Sequence, residues 1–224
     1  MKDLNRDFHS GFCKYKMKLK FKSVINIVVL IIILSAIAGS FTTFAILKSQ
    51  TPIQEELIKD FYLTENAVHI SPHGLRKHIG EDPNIVLVDL RSQEEYEKEH
   101  IIGAINIPAY KDKDHSDYGA VDRIVGEFKK IEEQNPDTEF IVYCYSTPCM
   151  TGRKVGAILA ENEIYVKHLG IGWNEWRYFW TMWNHEHEWD ITNVEDYIAT
   201  GPEPGIPKLN PNSIGCLIEG DLGC

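Results

Sequence analysis

The chain has 224 residues, 43% apolar and 25% charged, with a formal net charge of -10. The charge is unevenly placed. Residues 1–22 carry seven Lys/Arg against two Asp, residues 23–47 carry none, and residues 48–224 carry 16 Lys/Arg against 31 Asp/Glu. A body that acidic repels phosphate backbones, which sets nucleic acid aside as a partner.

Taken in chain order, residues 1–22 form a basic segment. Residues 23–47, SVINIVVLIIILSAIAGSFTTFAIL, are 25 uncharged positions. As a helix they would extend roughly 37 Å, enough for a hydrocarbon core ~30 Å thick. Lysines 14, 16, 18, 20 and 22 precede this stretch and acids follow at Glu55 and Glu56. The positive-inside rule then predicts a cytoplasmic N-terminus and an extracytoplasmic remainder, with the lipid bilayer as the partner of residues 23–47. A signal sequence cleaved after the small residues Ala36–Ala38 is the alternative, although the apolar run continues to Leu47.

Residues 48–66 read as a linker, with a short helix in its second half. Residues 67–70 suggest a short strand. Ser71 and Pro72 are an N-cap and a first-turn proline, so a helix begins there and ends near Gly80. NIVLVDL (84–90) is a buried-type strand. SQEEYEKEH (92–100) is a short helix with Ser92 and Glu95 at capping-box spacing. GAINIP gives another strand, and residues 109–120 a polar insertion. Residues 121–134 form an amphipathic helix with Ile124, Phe128 and Ile131 on one face. EFIVYC (139–144) is a second buried strand, residues 151–162 a helix, and residues 165–169 a last strand.

Alternating strands and helices predict an α/β fold, with a parallel sheet of about five strands and helices on both faces. Its ligand site should lie at the carboxyl ends of the strands. The tail from Gly201, with four Pro and five Gly in 24 residues, should be irregular. The expected organisation is a body at 67–184 and a C-terminal extension at 185–224.

Cys144 ends a central strand, just before a loop and a helix N-terminus. Such a place favours the thiolate, and the loop amides can cradle an anion. Cys149, five residues on, could resolve an oxidised or sulfur-loaded Cys144 as a disulfide, could be inert, or could itself be the nucleophile. Cys13 lies on the cytoplasmic side. Cys216 and Cys224 lie outside, and a local disulfide between them is expected, leaving the loop pair to each other or to substrate. HEHE (185–188) invites a metal, but two histidines two apart on a helix do not share a face and no third ligand stands at sensible spacing, so no metal is assigned. The run Trp173, Trp176, Tyr178, Phe179, Trp180, Trp183, Trp189 reads mainly as a helix packed on the sheet, with a membrane-interface role as the minor reading.

The segment 88–108, VDLRSQEEYEKEHIIGAINIP, resembles the first signature of rhodanese-like sulfurtransferase domains at Asp89, Arg91, Glu95, Tyr96, His100, Ile101, Gly103, Ala104, Asn106 and Pro108. Cys144 falls at the second signature. LGIGWNEW resembles the third, with Ile171 in place of one glycine. The resemblance, over roughly 67–179, implies a rhodanese fold and sulfane-sulfur transfer through a Cys144 persulfide to a thiol or cyanide, without a cofactor. It makes Tyr145, Ser146, Thr147, Met150, Thr151, Gly152 and Arg153 the substrate-binding loop, with Asp89, Arg91 and His100 as structural braces. A typical loop of the family carries an arginine close to the cysteine; here Tyr145 to Gly152 has no basic residue. A thiol–disulfide redox or sulfur-sensing module using Cys144 and Cys149, and a non-catalytic interaction domain, are the alternative functions.

Overall fold

The computed structural model describes residues 4–49 and 52–208. Its two compact units are Met1–Asp60 and Phe61–Cys224. The first is dominated by α1 (Leu4–Ser49). Within it, Val24–Ile46 is a stretch of mean hydropathy 2.7 whose residues are all exposed. It is apolar all round, where a soluble surface helix would show one apolar stripe. The helix is long and apolar enough to cross a membrane, and a signal sequence would pass the same test.

The elements that follow are α2 (Gln54–Val68), β1 (His69–Ile70), α3 (Pro72–His78), β2 (Ile85–Asp89), α4 (Gln93–Lys98), β3 (His100–Ile101), β4 (Ile105–Asn106), β5 (Tyr110–Asp112), β6 (His115–Ser116), α5 (Val121–Gln134), β7 (Glu139–Tyr143), α6 (Thr151–Ala160), β8 (Val166–Leu169), α7 (Trp173–Tyr178), α8 (Trp180–Trp183) and β9 (Ile198–Ala199). The central sheet has five parallel strands in the order β1-β8-β7-β2-β4. β7 lies in the middle, so its carboxyl end opens onto the centre of the fold.

Side chains alternate across the sheet with the strand period of two, and this builds two cores. On one face Val88, Phe140 and Val142 meet Ile124 and Phe128 of α5 and Val155 and Leu159 of α6. On the other, Leu87, Ile141 and Tyr143 meet Leu75 of α3, Trp173 and Trp176 of α7 and Trp180 of α8. The strands were readable as apolar runs because both of their faces are covered.

Several local expectations are corrected. Ala67 and Val68 close α2, so the strand expected at 67–70 shrinks to two residues. Ser71 does cap α3, accepting from the Gly74 amide at 3.3 Å. Ser92 makes no such cap; its hydroxyl donates to Glu95 Oε2 at 2.6 Å. The polar insertion contains the antiparallel hairpin β5–β6, formed without an apolar pattern. The aromatic run breaks at Phe179 into two short helices, leaving Trp173, Trp176 and Trp180 buried while Tyr178 and Phe179 are exposed. Beyond them, residues 198–199 return as β9 to pair with β3, so the chain near Gly201 is partly tied down. Cys216 and Cys224, and the disulfide expected between them, lie outside the described residues, as does the side chain of Cys13.

Candidate active site

β2 ends in Asp89, which is fully buried beside Arg91. Burial disfavours both charges, so the pair must be closed by geometry. Asp89 Oδ1 accepts from the Arg91 amide at 2.8 Å, and Oδ2 accepts from Arg91 Nη2 at 2.6 Å and from the Tyr143 hydroxyl at 2.7 Å. Arg91 Nη2 also donates to the Glu99 carbonyl at 2.7 Å, and its guanidinium lies 4.4 Å from the Trp173 ring centre. Burial opposes the Arg91 charge, but the neighbouring Asp89 carboxylate outweighs it and holds the guanidinium well above its ordinary pKa. His100 stacks on Tyr96 at 3.8 Å, and its Nδ1 lies 2.8 Å from the Tyr96 carbonyl. These three side chains tie β2, α4 and β3 together, and Tyr143 carries the tie to the end of β7, next to Cys144.

The Cys144 carbonyl accepts from the Trp173 amide at 2.8 Å, and the Tyr145 carbonyl from the Asn174 amide at 2.8 Å. A Cβ on Gly172 would lie 2.2 Å from the Ser146 nitrogen, so only glycine lets the two backbones approach this closely. The Glu175 carboxylate accepts from the Thr147 amide at 3.1 Å and from the Gly172 amide at 3.0 Å. The LGIGWNEW segment is therefore the clamp that shapes the cysteine loop. Its role follows from pairing across the sheet ends, which sequence spacing does not reveal.

The loop brings the two thiols together: Cys149 Sγ lies 3.0 Å from Cys144 Sγ. Both are free thiols, Cys144 with 1% of its surface exposed and Cys149 partly exposed. Such a pair shares one proton. The bond from the Cys144 S–H, only partly opposed by burial and aided by Thr151, pulls Cys149 down to about 4. Cys144 moves the other way, because its hydrogen bond to Cys149, its burial and the neighbouring thiolate all oppose a second negative charge. Burial and the bond between the sulfurs thus push the two thiols apart, Cys149 down and Cys144 up, whereas strand-end placement alone would lower Cys144.

Thr151, the first residue of α6, is the hub beside them. Its Oγ1 is 3.3 Å from Cys149 Sγ, 2.8 Å from the Tyr110 hydroxyl and 2.9 Å from the Tyr118 hydroxyl. The Tyr145 hydroxyl donates to Glu95. Of the remaining loop residues, Ser146 receives the Cys149 amide on its carbonyl at 2.9 Å, and Met150 is exposed. Arg153 Nη1 donates to the Thr147 and Cys149 carbonyls, each at 3.2 Å. That guanidinium braces the loop from behind. Tyr110, Tyr118 and Glu175 went unassigned in the sequence, and Glu95 was read as a capping and signature residue and not as a loop partner; the two tyrosines come from the hairpin that had no readable pattern and the loop after it.

A cavity of about 1050 Å³ lies behind α6, lined by His69, His168, Gly152, Arg153 and Gly156 among others. It does not include the thiols. Gly152 is required here too, since a Cβ would lie 2.0 Å from His168 Nε2. Burial and the neighbouring His69 push the His168 imidazole down, and neither of its ring nitrogens has a hydrogen-bond partner.

The family model described as the rhodanese-like domain matches residues 71–178. The chain is 40% identical over 84 residues to a thiosulfate:glutathione sulfurtransferase of Saccharomyces cerevisiae, covering 36% of this chain and 58% of that protein. It is 31% identical over 102 residues to an HTH-type transcriptional regulator of Mycobacterium tuberculosis, covering 46% and 37%. The chain thus spans less than two thirds of the length of these curated relatives. Among solved structures, a Bacillus halodurans protein is similar with a TM-score of 0.42 and 19% identity, over 62% of this chain and all of that one. A rhodanese with anions from E. coli is similar with a TM-score of 0.27 and 27% identity, over 39% and 86%.

Proposed function

We propose, from the premise that residues 71–178 form a rhodanese-like domain, that the chain is a sulfurtransferase carrying sulfane sulfur as a persulfide on Cys144. The observation that carries the proposal is the thiol pair at the carboxyl end of β7, with Cys149 Sγ 3.0 Å from Cys144 Sγ. The pair holds one negative charge, and the Cys144 sulfur attacks the outer sulfur of a donor RS–SH as its proton passes to Cys149. The S–S bond of the donor breaks, Cys144–S–SH forms, and the leaving RS⁻ takes the proton back from Cys149. An acceptor thiolate then attacks the outer sulfur, leaves as R′S–SH and returns Cys144 as thiolate. Cyanide would take the same sulfur as thiocyanate.

The thiol surroundings favour a weakly charged donor. Arg153 is committed to loop carbonyls, and the groups around Thr151 are neutral hydroxyls. The cations nearest this cluster are turned elsewhere, Arg153 to the loop carbonyls and Lys154 to the Tyr118 ring at 4.7 Å, so small organic persulfides are the proposed donors. The printed name of the S. cerevisiae relative supports a low-molecular-weight thiol as acceptor.

We further propose that Val24–Ile46 anchors the chain in a membrane in one pass, N-terminus in the cytoplasm, with the linker at 48–66, the rhodanese-like body at 67–184 and the extension at 185–224 outside. The lysines before the span and the acids after it support this.

The 3.0 Å contact also favours a second reading, a redox or sulfur-sensing module. Here the Cys149 thiolate attacks Cys144 Sγ of the persulfide, expels HS⁻ and leaves a Cys144–Cys149 disulfide. Single variants separate the two. If Cys144 is the carrier, Cys144→Ser abolishes transfer from an organic persulfide to a thiol and Cys149→Ser retains part of it. Full transfer by Cys144→Ser would overturn the assignment. Hydrosulfide release with stoichiometric disulfide, in place of transfer, would establish the second reading.

A further inference from the structure

The HEHE stretch stands apart from the thiol loop, and the fold gives it a third candidate ligand that lies far away in sequence. His73, in the first turn of α3, is brought against His185 and Glu188, at the 3-10 turn Glu186–Glu188. The His73 and His185 rings stack at 4.3 Å between centres. His73 Nε2 lies 2.8 Å from Glu188 Oε2. One ligand atom from each of the three lies within 4.8 Å of the other two.

We propose that His73, His185 and Glu188 bind a divalent d-block cation of the zinc class. Two imidazoles and one carboxylate, with a fourth position left to water, are a donor set zinc takes. Donors at ~2.1 Å in a tetrahedral set stand about 3.4 Å apart. The His73–Glu188 pair must therefore open slightly, and His185 must move in. His185 is exposed, stacked on His73 and 5.6 Å from the His187 ring centre, whereas His73 and Glu188 sit on fixed backbone. Ser71 caps the turn that carries His73, and the Glu188 carbonyl accepts from the Thr192 amide at 3.0 Å and the Thr192 hydroxyl at 2.8 Å. The ion replaces the proton now held between His73 and Glu188.

Arg76 decides how Glu188 can bind. Its Nη2 lies 2.8 Å from Glu188 Oε1, with Lys77 Nζ at 3.8 Å from the same oxygen. Oε1 is therefore occupied, and Oε2 alone faces the histidines. The carboxylate binds through one oxygen and is held in place by an outer partner, as ligating carboxylates commonly are. The same positive charge lowers the affinity, so the site is a reversible clamp between α3 and the segment after α8. The inference is independent of the sulfurtransferase reading.

The test is equilibrium dialysis of the full-length chain in detergent against zinc ions, with all thiols first alkylated so that cysteines cannot bind the metal. The chain should bind one zinc per molecule and gain thermal stability from it. His185→Ala should weaken binding by about tenfold or more and cancel the gain, with an unchanged circular dichroism spectrum because the side chain is exposed. His73→Gln should do the same. His115→Ala, on the distant β5–β6 hairpin, should bind as the parent does. No zinc on the alkylated chain, or equal affinity in folded His185→Ala, would overturn the site.

Discussion

At the residue scale, the chemistry turns on how two thiols divide one charge. A thiolate accepting an S–H bond is stabilised; a second thiolate 3.0 Å away is not. With the Cys144 S–H turned toward it, Cys149 is the thiol whose pKa falls, to about 4. Iodoacetamide should label Cys149 at a rate nearly independent of pH above that point and falling below it. In Cys144→Ala the donor is gone, so the fall should move up toward the ordinary thiol range. An unmoved profile in that variant would remove the shared proton from the account. Asp89 poses the opposite case, a buried carboxylate whose value lies in its partner. Asp89→Asn leaves Arg91 charged and uncompensated, and should cost about 3–5 kcal/mol of unfolding free energy. Urea denaturation reads this as a lower midpoint with an unchanged slope.

At the scale of elements, the loop from Cys144 to Met150 has no shape of its own; the α7 entry supplies it. Gly172→Ala places a methyl group 2.2 Å from the Ser146 nitrogen, so the loop must shift. Sulfur transfer should fall by about 10²-fold, as a displacement on the order of 1 Å can cause, while far-UV circular dichroism stays native. A wild-type turnover number would mean the clamp is not needed. This element also marks what the sequence could and could not reveal. β2, β7 and α5 were legible because each carries a complete local signal: two apolar runs of strands covered on both faces, and one apolar stripe at helical spacing. The pair at Cys144 and Cys149 was legible as a question, since spacing alone puts two thiols on one loop. The hairpin β5–β6 was not, because its strands are short, lie outside the main sheet and alternate nothing. The meeting of His73 with His185 was not either, because they stand 112 positions apart in the chain and meet only in the folded body. The Ser92 cap failed for a local reason: the hydroxyl prefers the Glu95 carboxylate to the helix amides.

At the scale of the molecule, an acidic body follows a basic, apolar N-terminal segment, and the two parts suit different surroundings. If Val24–Ile46 spans a membrane with the lysines inside, protease added to intact spheroplasts should digest the domain while residues before the span are protected. Protection of the domain would reverse the orientation. The sulfur-transfer proposal converges on one atom, the sulfur of Cys144, which follows the carboxyl end of the central strand and lies 3.0 Å from Cys149 Sγ. The most direct test is mass spectrometry of the full-length chain and its Cys144→Ser and Cys149→Ser variants after exposure to an organic persulfide. One added sulfur, present in the parent and in Cys149→Ser, absent in Cys144→Ser, and removed by a thiol acceptor, is the predicted result. An added sulfur that survives in Cys144→Ser, or none in any of the three, would contradict it.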